Sequence, residues 1–274
     1  MHDYARCYSC SCMVTSGMSD LPLARRDQIA GRLSAGQAVI ATALADEFGV
    51  SEDAIRRDLR ALAAEGRCRR VYGGALPIAG GMAPMAARIG QDRERKLALA
   101  RSAARSIARG EFLFLDSGST NLALAEVLPD DFDLTVATNA IDVAATVLHR
   151  QDLQLIVIGG SVHPAVGGCV DADAIMQVQR LNIDRCFIGA CAVSAQGGIS
   201  AVDPTDATFK RTLLSLSRVS VAMVTNEKLE TRAPHRIAGA KTISQLTVEH
   251  DAPAARLALL RRAGATIMTA TPPG

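Results

Sequence analysis

Aromatic side chains are scarce in this sequence, which has no tryptophan and only 3% aromatic residues. Proteins that recognise unpaired nucleic-acid bases usually stack them on aromatic side chains, so the composition argues against that mode of binding. The 49% of hydrophobic residues is mainly alanine, leucine, valine and isoleucine. A chain of 274 residues with this composition is expected to build an aliphatic α/β core and two domains.

Long hydrophobic runs and a secretion signal are also missing. No stretch of about 18 apolar residues occurs, so no transmembrane helix is expected, and the N-terminus lacks a basic region followed by an apolar segment. The seven cysteines are odd in number and show no disulfide-framework spacing, as in proteins of a reducing compartment. We therefore predict a cytoplasmic protein without a membrane partner.

A large excess of charge of either sign is absent as well, since the formal net charge is +2. The whole chain is therefore not a polyanion binder, and DNA binding would require a local basic patch. Residues 51–76 contain six arginines and four acidic residues, which makes this segment the candidate patch.

The first 21 residues contain Cys7, Cys10 and Cys12 in a Cys-x2-Cys-x-Cys pattern near His2. A structural metal site would need a fourth ligand and a fold to hold it, and the segment shows neither periodicity nor a second cluster. We predict a disordered tail over residues 1–21 and no metal site. Met18 is an alternative start, because the organised sequence begins just after it.

Residues 39–58 have the pattern of two short helices joined by a tight turn. Gly49 can adopt the left-handed conformation that ends a first helix over 42–48, and Ser51 is a good N-cap for a second helix. Apolar residues of the second helix recur at i, i+4 and i+7 and form one inward face: Ile55, Leu59 and Leu62. This arrangement is typical of a helix-turn-helix, whose second helix enters the major groove.

The outward side of the second helix is basic, and alternating residues over 67–76 indicate a small β-hairpin, or wing, with arginines placed for phosphates. The alternative is a plain helical hairpin with a solvated charged face, followed by an ordinary basic turn. We predict a winged helix-turn-helix over residues 22–77. Its predicted DNA-binding residues are Thr42, Ser51, Glu52, Asp53, Arg56, Arg57, Arg60, Arg69 and Arg70.

A linker is predicted at 78–91, where Pro, Gly, Ala and Met follow no clear period. A second domain is predicted over 92–270, beginning with a helix over 92–109. Apolar strands then alternate with helices, which indicates the α/β fold class, with a mostly parallel sheet covered on both faces. The predicted strands are 112–115, 134–137, 155–158, 186–189, 219–224, 245–248 and 266–268. The predicted helices are 121–128, 141–148, 172–180, 207–217 and 254–263.

The loop Asp116-Ser-Gly-Ser-Thr120 follows the first predicted strand of this sheet and opens a helix. Gly118 allows the backbone to approach a ligand closely, and the hydroxyl groups add donors, so the loop can cradle a phosphate. It is not a Walker A loop, because no Gly-Lys-Ser/Thr follows. The alternative is a plain helix cap without a ligand.

Ligands of parallel sheets bind beyond the carboxyl ends of the strands. Polar or glycine-rich turns follow four predicted strands, and two lysines follow later in the chain, as an anionic ligand would require. The predicted effector-binding residues are Asp116, Ser117, Gly118, Ser119, Thr120, Thr138, Asn139, Gly159, Gly160, Lys210 and Lys228.

Over residues 23–269 the chain resembles the DeoR family of bacterial transcriptional regulators. The N-terminal resemblance lies in Val-Ser-Glu-Asp-Ala-Ile-Arg-Arg-Asp-Leu at 50–59 and Arg70-Val-Tyr-Gly-Gly-Ala75. The C-terminal resemblance lies in the 116–120 loop, Thr138-Asn139, Gly159-Gly160, Phe187-Ile-Gly-Ala190, Lys210-Arg211 and Lys228. It implies a sugar-phosphate sensor domain similar in fold to ribose-5-phosphate isomerase, with the effector's phosphate in the 116–120 loop.

Two positions depart from the family pattern. Ala190-Cys-Ala192 replaces the usual Ala-Asp-Gly, and Thr225-Asn226-Glu227 stands where an Asp usually precedes the lysine. The similar isomerases use an acid near 189–192 as base, and without a positioned base proton abstraction is not expected.

The prediction is therefore a regulator, a repressor, with no catalytic residue and no cofactor. Its partners would be double-stranded operator DNA, a phosphorylated sugar effector and further copies of the chain. The alternatives are a sugar-phosphate isomerase with an appended DNA-binding domain, and a sensor domain that has lost its ligand and supports only oligomers.

Overall fold

The computed structural model describes residues 22–34, 37–65, 67–76 and 85–273. The chain divides into two compact units, residues 1–79 and 80–274. The predicted tail at 1–21, with its cysteine cluster, lies outside the described residues, and so do residue 77 and residues 78–84 of the predicted linker. Within the described ranges no helix is long and apolar enough to cross a membrane.

The described residues of the first unit form three helices and a three-stranded antiparallel sheet. Its elements are α1 (Pro22–Ser34), β1 (Val39–Ile40), α2 (Ala41–Phe48), α3 (Glu52–Ala64), β2 (Arg69–Val71) and β3 (Gly74–Leu76). The strands are ordered β1-β3-β2, and the turn at 72–73 joins β2 to β3. The unit is a winged helix-turn-helix, as predicted.

The turn between α2 and α3 has the predicted chemistry. Gly49 ends α2 in the left-handed conformation with φ 63°, and the Ser51 hydroxyl accepts a hydrogen bond from the backbone N–H of Ala54 at 3.3 Å. The inward stripe of α3 is buried against α1 and α2, with Ile55, Leu59 and Leu62 each at most 2% exposed. The stripe therefore fixes which side of α3 faces solvent.

A buried ion pair joins α1 to α3. The Arg25 guanidinium donates to the Asp58 carboxylate with an Nε to Oδ2 distance of 2.7 Å, and both side chains are only 8% exposed. Asp58 therefore holds the helices together, in contrast to the exposed charges on the other side of α3.

Gly74→Ala is expected to destabilise the first unit by about 1–3 kcal/mol, because overpacking forces the backbone to shift. The added Cβ would lie 2.1 Å from the carbonyl oxygen of Val39, across the β1–β3 pairing. Gly31→Ala in α1 is the matched control, since nothing lies within 4 Å of its added Cβ, and a helical Gly→Ala change is favourable by up to about 1 kcal/mol. Urea unfolding followed by far-UV circular dichroism measures both, and equal stabilities would contradict the prediction.

The second unit alternates strands and helices. Its helices are α4 (Met85–Ile89), α5 (Arg93–Ala104), α6 (Ser119–Ala125), α7 (Ile141–Val147), α8 (Ala172–Val178), α9 (Pro204–Leu216) and α10 (Ala254–Arg262). Its strands are β4 (Phe112–Leu115), β5 (Thr135–Thr138), β6 (Gln154–Val157), β7 (Val162–His163), β8 (Gly168–Cys169), β9 (Ile183–Phe187), β10 (Ala192–Ser194), β11 (Gly198–Ala201), β12 (Ser217–Val224), β13 (His235–Ala238), β14 (Gln245–Val248) and β15 (Ile267–Thr269). Two 3-10 turns lie at Asn226–Lys228 and Ala240–Thr242.

Seven of these strands form one parallel sheet in the order β15-β14-β12-β9-β4-β5-β6. Alternate residues of β4 face opposite sides: Leu113 and Leu115 pack with α5, α6 and α7, while Phe114 packs with α8 and α9. The Phe114 and Phe209 rings lie 6.0 Å apart on the second side. Both faces are therefore covered, as predicted for a parallel α/β sheet.

The structure differs from the sequence prediction in its short elements. A second sheet, antiparallel and ordered β10-β11-β13, and the β7–β8 hairpin were not predicted. Strands of two to four residues are too short to show a periodicity of their own. The predicted linker at 78–91 also differs, because it contains α4, whose Met85 is buried in the core of the second unit.

Candidate nucleic-acid interface and effector pocket

The exposed side of α3 carries three of the predicted DNA-binding residues, Arg56, Arg57 and Arg60, and β2 carries two more, Arg69 and Arg70, both exposed. A groove lies between α3 and the wing. Among its lining residues are Thr42, Glu52, Arg56 and Arg70. Helix α3 and the wing thus each place one arginine, Arg56 and Arg70, in one concave surface, as contacts with both a groove and its phosphates require.

The acidic residues predicted at this surface contact arginines of the same helix, α3. Arg56 donates to Glu52 with an Nη2 to Oε1 distance of 2.7 Å and lies 3.7 Å from the Asp53 carboxylate. The Arg57 guanidinium donates to the Asp53 carbonyl oxygen at 3.3 Å. Exposed pairs of this kind contribute at most about 1 kcal/mol, so the guanidinium groups can turn from them to phosphates or bases.

The sequence prediction omitted Tyr72 from the interface. Tyr72 lies at the tip of the wing with its side chain fully exposed, and it lines the same groove. The sequence places this tyrosine between Val71 and Gly73, in the predicted turn of the wing. Only the fold shows that its side chain is exposed and lies beside α3.

A pocket in the second unit lies at the carboxyl ends of β4, β9 and β12. β4 is bordered by β5 on one side and by β9 on the other, so the order of strands along the sheet reverses here. Such switch points are where open parallel sheets bind ligands. Residues 117–120 form one wall of the pocket and supply three hydroxyl groups.

Lys210 holds two aspartates together at the base of this pocket. Its ammonium group lies 2.9 Å from the Asp116 carboxylate and also donates to the Asp206 carboxylate, one turn earlier on α9. All three side chains are at most 2% exposed. The Gly189 backbone N–H donates to the same Asp116 oxygen, Oδ2, at 2.8 Å, and this bond joins the ends of β4 and β9.

The charges of this triad are set by burial and proximity. Burial raises the pKa of Asp116, and Lys210 offsets only part of that shift. Burial lowers the pKa of Lys210, but the two carboxylates raise it by more, so the net direction is upward. Lys210 is therefore charged at neutral pH, and its charge is matched by the aspartates around it.

Two further cations line the pocket near Cys191. Lys228, half-buried in the 3-10 turn after β12, and Arg88, half-buried on α4, line the pocket together with Cys191. Burial is the main cause that lowers the pKa of each. The pocket therefore brings together the 117–120 loop and three cationic side chains.

Five predicted effector-binding residues do not line this pocket: Asp116, which binds Lys210 beneath it, and Thr138, Asn139, Gly159 and Gly160. Thr138 is buried, and its hydroxyl donates to the Leu115 carbonyl oxygen at 2.6 Å. Asn139 is also buried, with its amide donating to the Cys169 carbonyl oxygen at 3.0 Å. Gly159 and Gly160 lie against α8, where Gly159 bonds the Gln177 side chain and Gly160 faces Asp171. The last four residues shape the turns after β5 and β6.

Two charged residues that line the pocket were missed by the sequence prediction. Asp206 could have been found, because it lies four residues before Lys210 and directly before the helix predicted over 207–217, and four residues is the spacing of a helical ion pair. Arg88 could not, because it lies in the segment predicted as linker and has no local signal of a binding role.

The chain matches two sequence profiles: one described as DeoR-like helix-turn-helix domain over residues 25–79, and one described as DeoR C terminal sensor domain over residues 91–250. The second match alone spans more than half of the 274 residues. The chain belongs to the DeoR family.

Curated relatives of this DeoR-family chain are transcriptional regulators by name, not enzymes. The glycerol-3-phosphate regulon repressor of Escherichia coli strain K12 is 30% identical over 186 residues, covering 68% of this chain and 74% of the relative. The HTH-type transcriptional regulator GlpR of Haloferax volcanii is 26% identical over 250 residues, covering 90% of this chain and 98% of the relative. These names agree with the prediction of a regulator.

Solved structures show weaker similarity. Ribose 5-phosphate isomerase A from Methanocaldococcus jannaschii matches with a TM-score of 0.37 and 14% identity, over 50% of this chain and 55% of that chain. The full-length sorbitol operon regulator SorC from Klebsiella pneumoniae matches with a TM-score of 0.40 and 12% identity, over 90% of this chain and all of that chain. Likenesses at this level carry no conclusion about function.

Proposed function

We propose that this protein is a transcriptional repressor that binds a double-stranded operator through α3 and the wing. A phosphorylated sugar bound in the pocket at the ends of β4, β9 and β12 would weaken that binding. The observation that carries the proposal is the presence, in one chain, of an arginine-lined helix-and-wing groove and of a cation-lined pocket at a sheet switch point. We place this repressor in the cytoplasm.

The first unit supports the DNA-binding part of the proposal. The buried stripe of α3 leaves its arginines on the solvent side, next to the basic strand β2. A helix of this kind reads base edges in the major groove while a flanking hairpin contacts phosphates. Helix-turn-helix proteins commonly read operators with two half-sites as dimers, so we propose that the chain acts as a homo-oligomer.

The second unit supports the sensing part. Ser117, Ser119 and Thr120 supply hydroxyl donors and Lys228 supplies an ammonium group, and charge-assisted bonds of this kind are the strong ones for phosphate. The E. coli relative is named for a regulon of glycerol 3-phosphate, a small phosphorylated polyol. A phosphorylated sugar is the ligand class that this set of donors favours.

A binding experiment tests the proposal. A duplex selected from a random-sequence library by the full-length protein serves as operator, and a panel of sugar phosphates is tested for a rise in melting temperature and for release of the duplex. We expect at least one compound to do both, because a ligand shifts operator affinity only if it binds the competent and incompetent states unequally. A ligand that raises the melting temperature but leaves operator affinity unchanged would contradict the coupling.

Ser119→Asp is the matched variant for this experiment. Ser119 is 7% exposed in the wall of the pocket, and a carboxylate there would repel a phosphate. We expect the variant to bind the selected duplex as tightly as the wild type and to keep it bound in the presence of the active compound. Normal release from the variant would show that the ligand binds elsewhere.

A further inference from the structure

A second cavity of the second unit lies at the small antiparallel sheet. Its volume is about 110 Å³, and its lining residues come from the turn between β10 and β11, from β11 and from the segment that leads into β13. Two of them are arginines, Arg232 and Arg236, and none of the described lining residues is acidic. None of them lines the effector pocket. The cavity is therefore a separate, basic feature of this unit.

The fold places both arginines beside Ser200, which is 2% exposed. Arg236 lies opposite Ser200 in the antiparallel pairing of β11 with β13, where the register shifts, and such irregularities redirect side chains. The Ser200 hydroxyl accepts a hydrogen bond from the Ala233 backbone N–H at 3.0 Å, which fixes the segment that carries Arg232. The aliphatic part of Arg232 runs past Gly197, where an added Cβ would lie 3.7 Å from its Cγ. Both guanidinium groups therefore extend from backbone that is held in place.

The positive charge of this cavity has no carboxylate partner among the described residues. Within that part of the chain, neither arginine forms an ion pair or donates a hydrogen bond from its side chain. Glu230, the nearest acid along the chain, accepts a hydrogen bond from the Ala195 backbone N–H at 3.1 Å instead. Arg211 on α9 donates to the Arg236 carbonyl oxygen at 2.6 Å and so brings a third positive charge close by. This differs from Lys210, whose charge is matched by two carboxylates.

The donors at the cavity suit an oxyanion. A planar guanidinium group pairs with two oxygens of a phosphate at once, and hydrogen bonds between charged groups are the strong ones. Ser200 accepts the bond from Ala233 and donates none within the described residues, so its hydroxyl hydrogen is available to a ligand. A cavity of about 110 Å³ has room for several water molecules and hence for one phosphate group.

We propose that Arg232, Arg236 and Ser200 form a phosphate-binding site outside the effector pocket. The two guanidinium groups and the hydroxyl group donate to the oxygens of one phosphate group, which is either the free ion or the terminal group of a phosphorylated metabolite. Bound phosphate bridges β11 and β13 and stabilises the second unit by mass action. The site goes beyond the proposed function, because it stands whether or not the other pocket senses a sugar.

Equilibrium dialysis of the full-length protein against radiolabelled inorganic phosphate tests the proposal, with chloride holding the ionic strength constant. Ser119→Asp serves as the background, because its carboxylate repels phosphate from the effector pocket. We expect this protein to bind one phosphate per chain. Adding Arg232→Met or Arg236→Met should weaken that binding at least about tenfold, since each removes a charge-assisted bond. Adding Arg180→Met, which removes an exposed arginine after α8 that does not line the cavity, should leave the binding unchanged.

Circular dichroism verifies folding of each variant, and in the wild-type background Arg232→Met and Arg236→Met should likewise remove one bound phosphate per chain. Displacement of the label by glucose 6-phosphate would assign the site to phosphorylated metabolites, and no displacement would assign it to the free ion; either result supports the site. Absence of bound phosphate in the Ser119→Asp protein, or equally tight binding in the Arg232→Met, Arg236→Met and Arg180→Met variants, would overturn it. The proposed function fails on a different result, namely an operator affinity that no sugar phosphate changes.

Discussion

Replacing Arg56 and Arg57 together with alanine is expected to weaken operator binding at least about 100-fold, because contacts of an arginine with a base edge or phosphate contribute about 1–3 kcal/mol each. Both side chains extend from the solvent side of α3, beyond the buried stripe that begins at Ile55. Their bonds to Glu52 and Asp53 are exposed, so little stability is lost when they are removed. The loss should therefore appear in DNA affinity and not in folding.

The measurement is a gel-shift titration of the selected duplex at fixed salt, since phosphate contacts make affinity depend on ionic strength. Arg261→Ala with Arg262→Ala is the control, because it removes the same charge from exposed positions at the end of α10. The control should bind like the wild type. If the Arg56 and Arg57 variant kept its specific affinity, α3 would not be the recognition helix.

Lys210→Met is expected to destabilise the second unit by about 3–5 kcal/mol, because removing one partner of a buried ion pair leaves uncompensated charge. Here two carboxylates, Asp116 and Asp206, would face each other without the ammonium group between them. The hydrogen bond from the Gly189 N–H to Asp116 would not offset the repulsion between the two carboxylates. Methionine keeps the length of the side chain, so the change is mainly one of charge.

The loss in Lys210→Met should depend on pH. Burial already raises the pKa of Asp116 in the wild type, and without Lys210 it rises further. A folded-state pKa above the unfolded value means that the folded state binds more protons, so the variant's stability falls as pH rises above the ordinary aspartate pKa. Urea unfolding at pH 5 and pH 8, followed by far-UV circular dichroism because tryptophan is absent, should show the larger loss at pH 8.

Lys241→Met provides the control for this experiment, since Lys241 is exposed in a 3-10 turn of the same unit. Its free energy of unfolding should match that of the wild type at both pH values. A Lys210→Met protein as stable as this control would show that the triad does not stabilise the unit. If Lys210→Met lost the same free energy of unfolding at both pH values, the buried negative charge would not be the cause of the loss.

Local signals in the sequence were sufficient for the first unit. The spacing of Ile55, Leu59 and Leu62 set the buried face of α3, and Gly49 and Ser51 set the turn before it. Each of these signals acts over one or two helical turns, so they can be read without knowing the rest of the fold. The alternation of strands and helices predicted the parallel sheet in the same way.

The sequence by itself therefore determined the winged helix-turn-helix, the parallel α/β sheet and the position of the 116–120 loop between a strand and a helix. Only the tertiary structure decided which strand ends share a pocket. The turns after β5 and β6, with Thr138, Asn139 and Gly160, follow the same local pattern as the 116–120 loop, but the strand order places them outside the pocket. The reversal of strand order at β4 and β9 leaves the ligand space there instead.

The contacts between charged side chains in the pocket were also decided by the tertiary structure. The pairing of Asp116 with Lys210 spans 94 residues, and the approach of Arg88 to Lys228 spans 140. Contacts at such separations depend on how the sheet brings its edges and helices together, and no local period or cap encodes them. The sequence could name the lysines as candidates, but only the fold showed that one is matched by aspartates and the other lies beside an arginine.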